Sequence, residues 1–219
     1  MRIKAAVGAA VLAIFLSATG ANATEATEDA ERSNPKKAYA TEFGRALPPI
    51  GFVQFCARSP EDCKPTGRKP SRLAMTPERW RLLSQVNSYV NGKIEPVSDQ
   101  DLYGQPEYWA YPTDAGDCED FLLLKRRYLE NLGFAPEALL ITVVLDEKKE
   151  GHAVLTVVTD EGDFVLDNRR DEIRRWSDLE YTFLKRQSQR DPRLWVALTK
   201  DAKPTASGFV AGGNNYETR

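Results

Sequence analysis

Histidine is nearly absent from this chain: one residue, His152, among 219. Any chemistry that needs an imidazole base therefore has one place to find it. Cysteine is almost as scarce, with three residues. Cys56 and Cys63 lie close together, but no second pair or histidine sits beside them to complete the tetrahedral shell of a zinc site. Neither sign of charge is in excess. A formal net charge of −2 excludes a general nucleic-acid binder, which needs a strongly basic surface. The longest apolar run, residues 5–16, falls short of the roughly 20 residues that span a bilayer. No internal repeat or low-complexity tract is present.

Residues 1–23 read as an export signal. Arg2 and Lys4 give a charged start, the apolar run follows, and Ala21-Asn22-Ala23 supplies a small-x-small cleavage site before Thr24. An uncleaved anchor is the other reading. Residues 24–45 lack apolar periodicity and read as a flexible leader, and residues 201–219, with Gly212-Gly213-Asn214-Asn215, as a disordered tail. Residues 46–200 between them suffice for one compact domain and are too few for two. Export places the protein in the periplasm or outside the cell. There, Cys56 and Cys63 should close a local disulfide and leave Cys118 unpaired.

The order of elements is helix first, then strands. Thr76-Pro77-Glu78 opens a helix that Thr76 can cap, and it runs to Asn91-Gly92. A second helix should span residues 118–132, stopped by Gly133, with Asp117 as N-cap and Asp120 three residues on. Residues 139–145, 152–159, 163–168 and 194–198 alternate like strands. The arginine-dense stretch at Arg169, Arg170, Arg174 and Arg175, interleaved with Asp171 and Glu172, reads as a solvated helix face. The class is α+β.

Cys118, His152 and Asp167 are the candidate site. A thiol at the start of a helix meets unpaired backbone N–H groups and the positive end of the helix dipole, which favour thiolate. Asp117, Glu119 and Asp120 flank it and oppose a further negative charge. If the strands around Thr159 to Gly162 pair so that Val158 faces Asp163, His152 and Asp167 become diagonal neighbours on one side of the hairpin. That register is one of two the loop allows. Each residue also has an ordinary reading: a buried small thiol, a strand histidine and a strand-end turn aspartate.

The block Gly116-Asp117-Cys118-Glu119-Asp120-Phe121 with Lys125, together with His152-Ala153-Val154-Leu155 and Val165-Leu166-Asp167-Asn168, resembles the bacterial transglutaminase-like cysteine peptidases, the BTLCP family that includes the LapG-type periplasmic proteases. Trp80, Asn87, Asn91, Asp101 and Trp109 extend the likeness over residues 47–176. The resemblance implies a papain-like, transglutaminase-like fold with the nucleophile helix packed on an antiparallel sheet. It implies Cys118 as nucleophile, His152 as base and Asp167 as its orienter. It further implies calcium at Asp117 and Glu119, with Asp114, Asp101 and loop carbonyls as candidates to complete a shell of about six to eight oxygens. The competing reading leaves Asp117 as a helix cap and Glu119 as a first-turn acid.

Three functions follow. The first is an exported cysteine endopeptidase acting on a periplasmic or surface protein. The second passes the acyl group to an amine, as transglutaminases do. The third is an inactive binding module, against which the intact Cys, His and Asp argue. In LapG-type members the substrate is a surface adhesin and a membrane receptor is the regulator.

Overall fold

The computed structural model of the chain describes residues 38–200. The export-signal reading, most of the leader and the tail from residue 201 lie outside the described residues. Among the described residues, no helix is long and apolar enough to cross a membrane.

A two-residue strand, β1 (Arg45–Ala46), is followed by α1 (Ile50–Arg58), α2 (Pro77–Lys93), the short strand β2 (Glu95–Pro96) and α3 (Asp99–Tyr103). Next come β3 (Ala115–Gly116) and α4 (Cys118–Asn131), and then six strands: β4 (Leu139–Leu145), β5 (Gly151–Thr159), β6 (Gly162–Asp167), β7 (Arg170–Arg175), β8 (Thr182–Gln187) and β9 (Trp195–Ala197). The main sheet has the order β1-β9-β8-β4-β5-β6-β7, and every neighbouring pair is antiparallel. Strands β2 and β3 form a separate parallel pair. The fold is α+β, as read from the order of elements.

Local chemistry explains the helix limits. Thr76 Oγ1 accepts the Arg79 N–H at 3.2 Å and Pro77 occupies the first turn, so α2 begins where its sequence can satisfy a free donor. Gly133, at φ +86°, provides the left-handed turn that ends α4. Leu83, Val86 and Val90 of α2 and Phe121, Leu122 and Leu129 of α4 pack with Ile141, Val143, Leu155 and Val157 into the main core. Alternate strand residues, Val144, Val154 and Val165, join Leu179, Tyr181 and Phe183 in a second cluster. The central strands β4, β5 and β6 thus bury both of their faces.

The β5–β6 hairpin has the register that pairs Val158 with Asp163, Val157 with Phe164 and Leu155 with Leu166. Several segments depart from the sequence reading, and α1, α3 and β8 form where it places no element. The arginine stretch is the edge strand β7, with Ile173 packed against the core and its charges turned to neighbours and solvent. It carries no helix. Residues 38–45, read as part of the leader, run along the sheet: the Ala40 N–H donates to Asp163 Oδ2, and the Phe43 N–H donates to the Ala197 carbonyl.

Candidate active site

Helix α4 begins at Cys118 because β3 delivers the chain tightly against it. A Cβ at Gly116 would lie 2.6 Å from Asp120 Oδ2, so only glycine lets the strand approach the first turn this closely. Cys118 is buried and unpaired, while Cys56 and Cys63 are joined in a disulfide, as the cysteine count predicts.

On the opposite element, His152 is the second residue of β5 and Asp167 the last of β6. His152 Nε2 lies 2.9 Å from Asp167 Oδ1, with both side chains almost completely buried. The hairpin register produces this meeting of residues fifteen apart in sequence. Asp167 is well provided with donors. Oδ1 also accepts the Arg169 N–H at 3.0 Å, and Oδ2 accepts the Tyr181 hydroxyl at 2.7 Å. Arg170 Nε stands 3.4 Å from Oδ2. Burial opposes the Asp167 charge, but His152 and these donors outweigh it and hold the carboxyl well below its usual range. From α2, Asn87 Nδ2 donates to the Arg170 carbonyl, and Asn91 Nδ2 donates to the carbonyls of Asp167 and Arg170. Those two asparagines pin the turn that follows Asp167.

The thiol lies against β5, beside the backbone N–H of Ala153, the residue after His152. Its other neighbours are acidic. Cys118 Sγ donates to Glu119 Oε2 at 2.8 Å. Burial, then the charges of Glu119 and Asp117, push the thiol well above its ordinary range, with only the Ala153 amide pulling it down. The expectation that the helix start favours thiolate is therefore outweighed by burial and by the carboxylates that flank the sulfur.

Those carboxylates form a cluster larger than the sequence reading gave. Carboxylate oxygens of Asp99, Asp117 and Asp120 lie within 4.8 Å of one another, and Asp117, Cys118 and Glu119 form an overlapping group of the same size. All four acids are buried. Asp114 and Asp101, the sequence candidates for completing a shell, are instead exposed, and Asp101 accepts from Ser98 Oγ. Asp99 and Asp120 are the acids gathered beside Asp117. Asp120 Oδ1 accepts the Ala110 N–H at 2.7 Å, and an Asp99 oxygen accepts the Tyr108 N–H. Asp117 stands at the N-cap position, yet its side chain makes no cap hydrogen bond. Five oxygens are buried without partners of normal geometry: Asp99 Oδ1, both of Asp117, Glu119 Oε1 and Asp120 Oδ2.

Burial pushes the Asp117 carboxyl up to about 6, offset in part by Glu119. Burial and then the Asp117 charge push Asp120 up to about 9 and Glu119 well above its usual range. Such oxygens would cost several kcal/mol if ionised without a counter-charge. An oxygen-seeking divalent cation suits the set, because it supplies that charge and takes several carboxylate ligands at once. The residues fit calcium, and the plain-cap reading of Asp117 lacks the bond that defines it.

Asp99 opens α3 two residues before Asp101, and nothing in that spacing distinguishes the buried acid from the exposed one. Ser98 at the start of α3, capping Asp101 N–H at 3.2 Å, was the available local signal. Tyr181 gave no signal at all.

The sequence model of one protein family, the bacterial transglutaminase-like cysteine proteinases (BTLCP), matches residues 42–203. No curated protein matches. Similar solved structures include LapG from Legionella pneumophila in its calcium-bound form, 24% identical, covering 60% of this chain and 76% of that one with a TM-score of 0.48. The EGTA-treated form is 22% identical, with coverages of 71% and 89% and a TM-score of 0.46. A third LapG structure is 21% identical, with coverages of 69% and 88% and a TM-score of 0.46.

Proposed function

The chain belongs to the bacterial transglutaminase-like cysteine proteinases and is a cysteine peptidase of that type, and from this we propose that Cys118, His152 and Asp167 hydrolyse peptide bonds of an exported or surface protein. The observation that carries the reading is the buried pairing of His152 Nε2 with Asp167 Oδ1, beside a free thiol set against the next strand residue.

With Nε2 engaged, Nδ1 is the ring nitrogen left to act as base. The thiol proton passes to His152, and the sulfur attacks the peptide carbonyl. Backbone N–H groups at the start of α4 stabilise the oxyanion that forms. The imidazolium then protonates the departing amine, leaving a thioester on Cys118. Water, deprotonated by the same imidazole, releases the acid and restores the thiol. Asp167 stays ionised throughout and stabilises the imidazolium.

Calcium is part of the proposal. Asp117, Glu119, Asp120 and Asp99 would hold it, and it would supply the positive charge that offsets carboxylates crowding the thiol. LapG of Legionella pneumophila has been solved bound to calcium. By the resemblance to LapG-type proteases, the substrate is a surface adhesin, the regulator a membrane receptor and the compartment the periplasm or exterior. The export signal read over residues 1–23 supports that compartment.

Comparing exported proteomes of cells carrying the native chain and Cys118→Ala tests this reading. A protein cut only by the native chain, with free carboxylates at the new ends, is the expected result. New ends capped by an amine would convert the reading to acyl transfer. Identical proteomes, together with a Cys118 that iodoacetamide never labels in the native protein, would end it.

A further inference from the structure

Tyr181 immediately precedes β8, is buried in the second core cluster, and belongs to neither the helix nor the hairpin that supply the site. Its hydroxyl makes two bonds. It donates to Asp167 Oδ2 at 2.7 Å and accepts from Arg170 Nη2 at 2.9 Å. The directions are fixed by chemistry. A guanidinium has donors and no acceptor, so the phenol must accept from Arg170, and its single proton is left for Asp167. The ring of Tyr181 also stands edge-on to the imidazole, with centroids 5.9 Å apart and an interplanar angle of 81°. One side chain therefore touches both members of the His-Asp pair.

We propose that Tyr181, locked by Arg170, is a positioning residue that clamps Asp167 Oδ2 so that Oδ1 alone faces His152, fixing the imidazole as its Nε2–H tautomer with Nδ1 as the basic nitrogen. The inference rests on the peptidase reading for its catalytic meaning, and on geometry alone for its structural content. A carboxylate held at one oxygen only can rotate and offer either oxygen to the ring. Held at both, it has one orientation. The other groups around Asp167 do not fix Oδ2 as well. The Arg169 N–H takes Oδ1, the Arg170 Nε lies at the longer distance of 3.4 Å, and Lys125 acts on Asp167 only through its charge. Arg170 is itself held at its far end by Glu147 Oε1 at 3.1 Å.

The chain's single histidine makes the test unusually clean, because ¹⁵N-histidine labelling gives resonances from one imidazole. Long-range ¹H–¹⁵N spectra at alkaline pH, where a neutral ring shows its tautomer, should report Nε2–H alone in the full wild-type chain. In Tyr181→Phe the Nδ1–H form should appear as a second population. The same variant should lower kcat about tenfold with KM unchanged, the size expected for one hydrogen bond to a charged group. If Tyr181→Phe loses its native near-ultraviolet dichroism, Arg170→Met is read instead, since it keeps the ring in place and frees the hydroxyl to turn away. A single Nε2–H tautomer persisting in the folded variant overturns the proposal, and so does a wild type in the Nδ1–H form. A wild type without peptidase activity would refute the function proposed above, while the spectra would still decide the role of Tyr181.

Discussion

The protein buries one carboxylate beside His152 and four around Cys118, and treats the two sets in opposite ways. Asp167 is surrounded by its own supply of donors: an imidazole, a phenol, a backbone amide and a nearby guanidinium. Its acidity is strengthened in consequence. Asp99, Asp117, Glu119 and Asp120 have two backbone amides and a thiol among them, and all four are made weaker acids by burial. Equal burial gives opposite electrostatics because only one group brings its positive partners with it. The first site is complete within the chain. The second lacks such partners among the described residues, and the proposed calcium would supply them.

The largest effect should come from breaking the complete site. Asp167→Asn keeps the shape but removes the charge that stabilises imidazolium and selects its tautomer. A fall in kcat of about 10²–10⁴ is expected, and His152→Ala should abolish turnover because no second imidazole exists. Rates on the substrate found by proteome comparison measure both. Undiminished hydrolysis by a folded His152→Ala protein would dismiss the mechanism.

A middle-sized effect belongs to the cluster. Chelator-stripped protein should gain about 2.7 kcal/mol when calcium reaches a hundred times its dissociation constant, which is roughly 5–10 °C in melting temperature for a domain this size. Magnesium should do so poorly, since it resists dehydration and demands tighter geometry. Asp120→Asn should lose most of the gain while leaving the Asp117 N-cap position intact. Calorimetric titration that finds no calcium heat in the wild type would make the two sites alike, both complete without an ion.

The smallest effect concerns the link between the sites. Lys125 lies on α4, almost fully buried, and its ammonium is pushed down to about 7 by burial despite Asp167 and Asp171. Above that value the native chain releases a proton that the unfolded chain keeps until about pH 10. Stability from this residue therefore rises with pH across that window, by about 1 kcal/mol per unit. Lys125→Met should remove that increment, so that denaturant unfolding at pH 7 and pH 9 differs between the two proteins mainly in slope. Equal slopes would show the lysine charged and fully compensated. Asp120 titrates in the same window but is common to both proteins and cancels in the comparison.

What could be read from the sequence was local. The start of α4, the capped start of α2 and the cysteine pairing follow from neighbours in the chain, and the β5–β6 hairpin takes one of the two registers its loop allowed. The class α+β follows from their order. The failures were matters of long-range pairing. Strand β7 has arginines on both faces and a single anchoring apolar residue, Ile173, so its period of two has no apolar contrast. Strand β8 hides its pattern because Arg186 is buried in a bond to Asp163 Oδ2 at 2.8 Å, where an apolar residue is the usual tenant. With β8 unseen, Tyr181 could not be placed beside Asp167. Asp99 joins the cluster from α3, which packs against β3, and no spacing rule encodes that contact.

The tight approach at Gly116 bears on how the protein could be altered by design. Replacing glycine with alanine is a common route to stability, worth about 0.4–1 kcal/mol where the backbone already suits a side chain. Gly92, near the end of α2, has open space around it and belongs to that class. Gly116 does not, since a methyl there would meet the Asp120 carboxylate at 2.6 Å and its Cβ at 2.7 Å. Gly51 is equally closed, since a methyl there would meet Glu107 Oε2 and the indole of Trp109 at 2.4–2.5 Å. A stabilised variant can therefore draw its added rigidity from helix positions such as Gly92, not from the turn glycines, whose positive φ an alanine would strain. The glycine before Asp117 is a fixed dimension of the site, as much a part of its fit as the acids it lets come together.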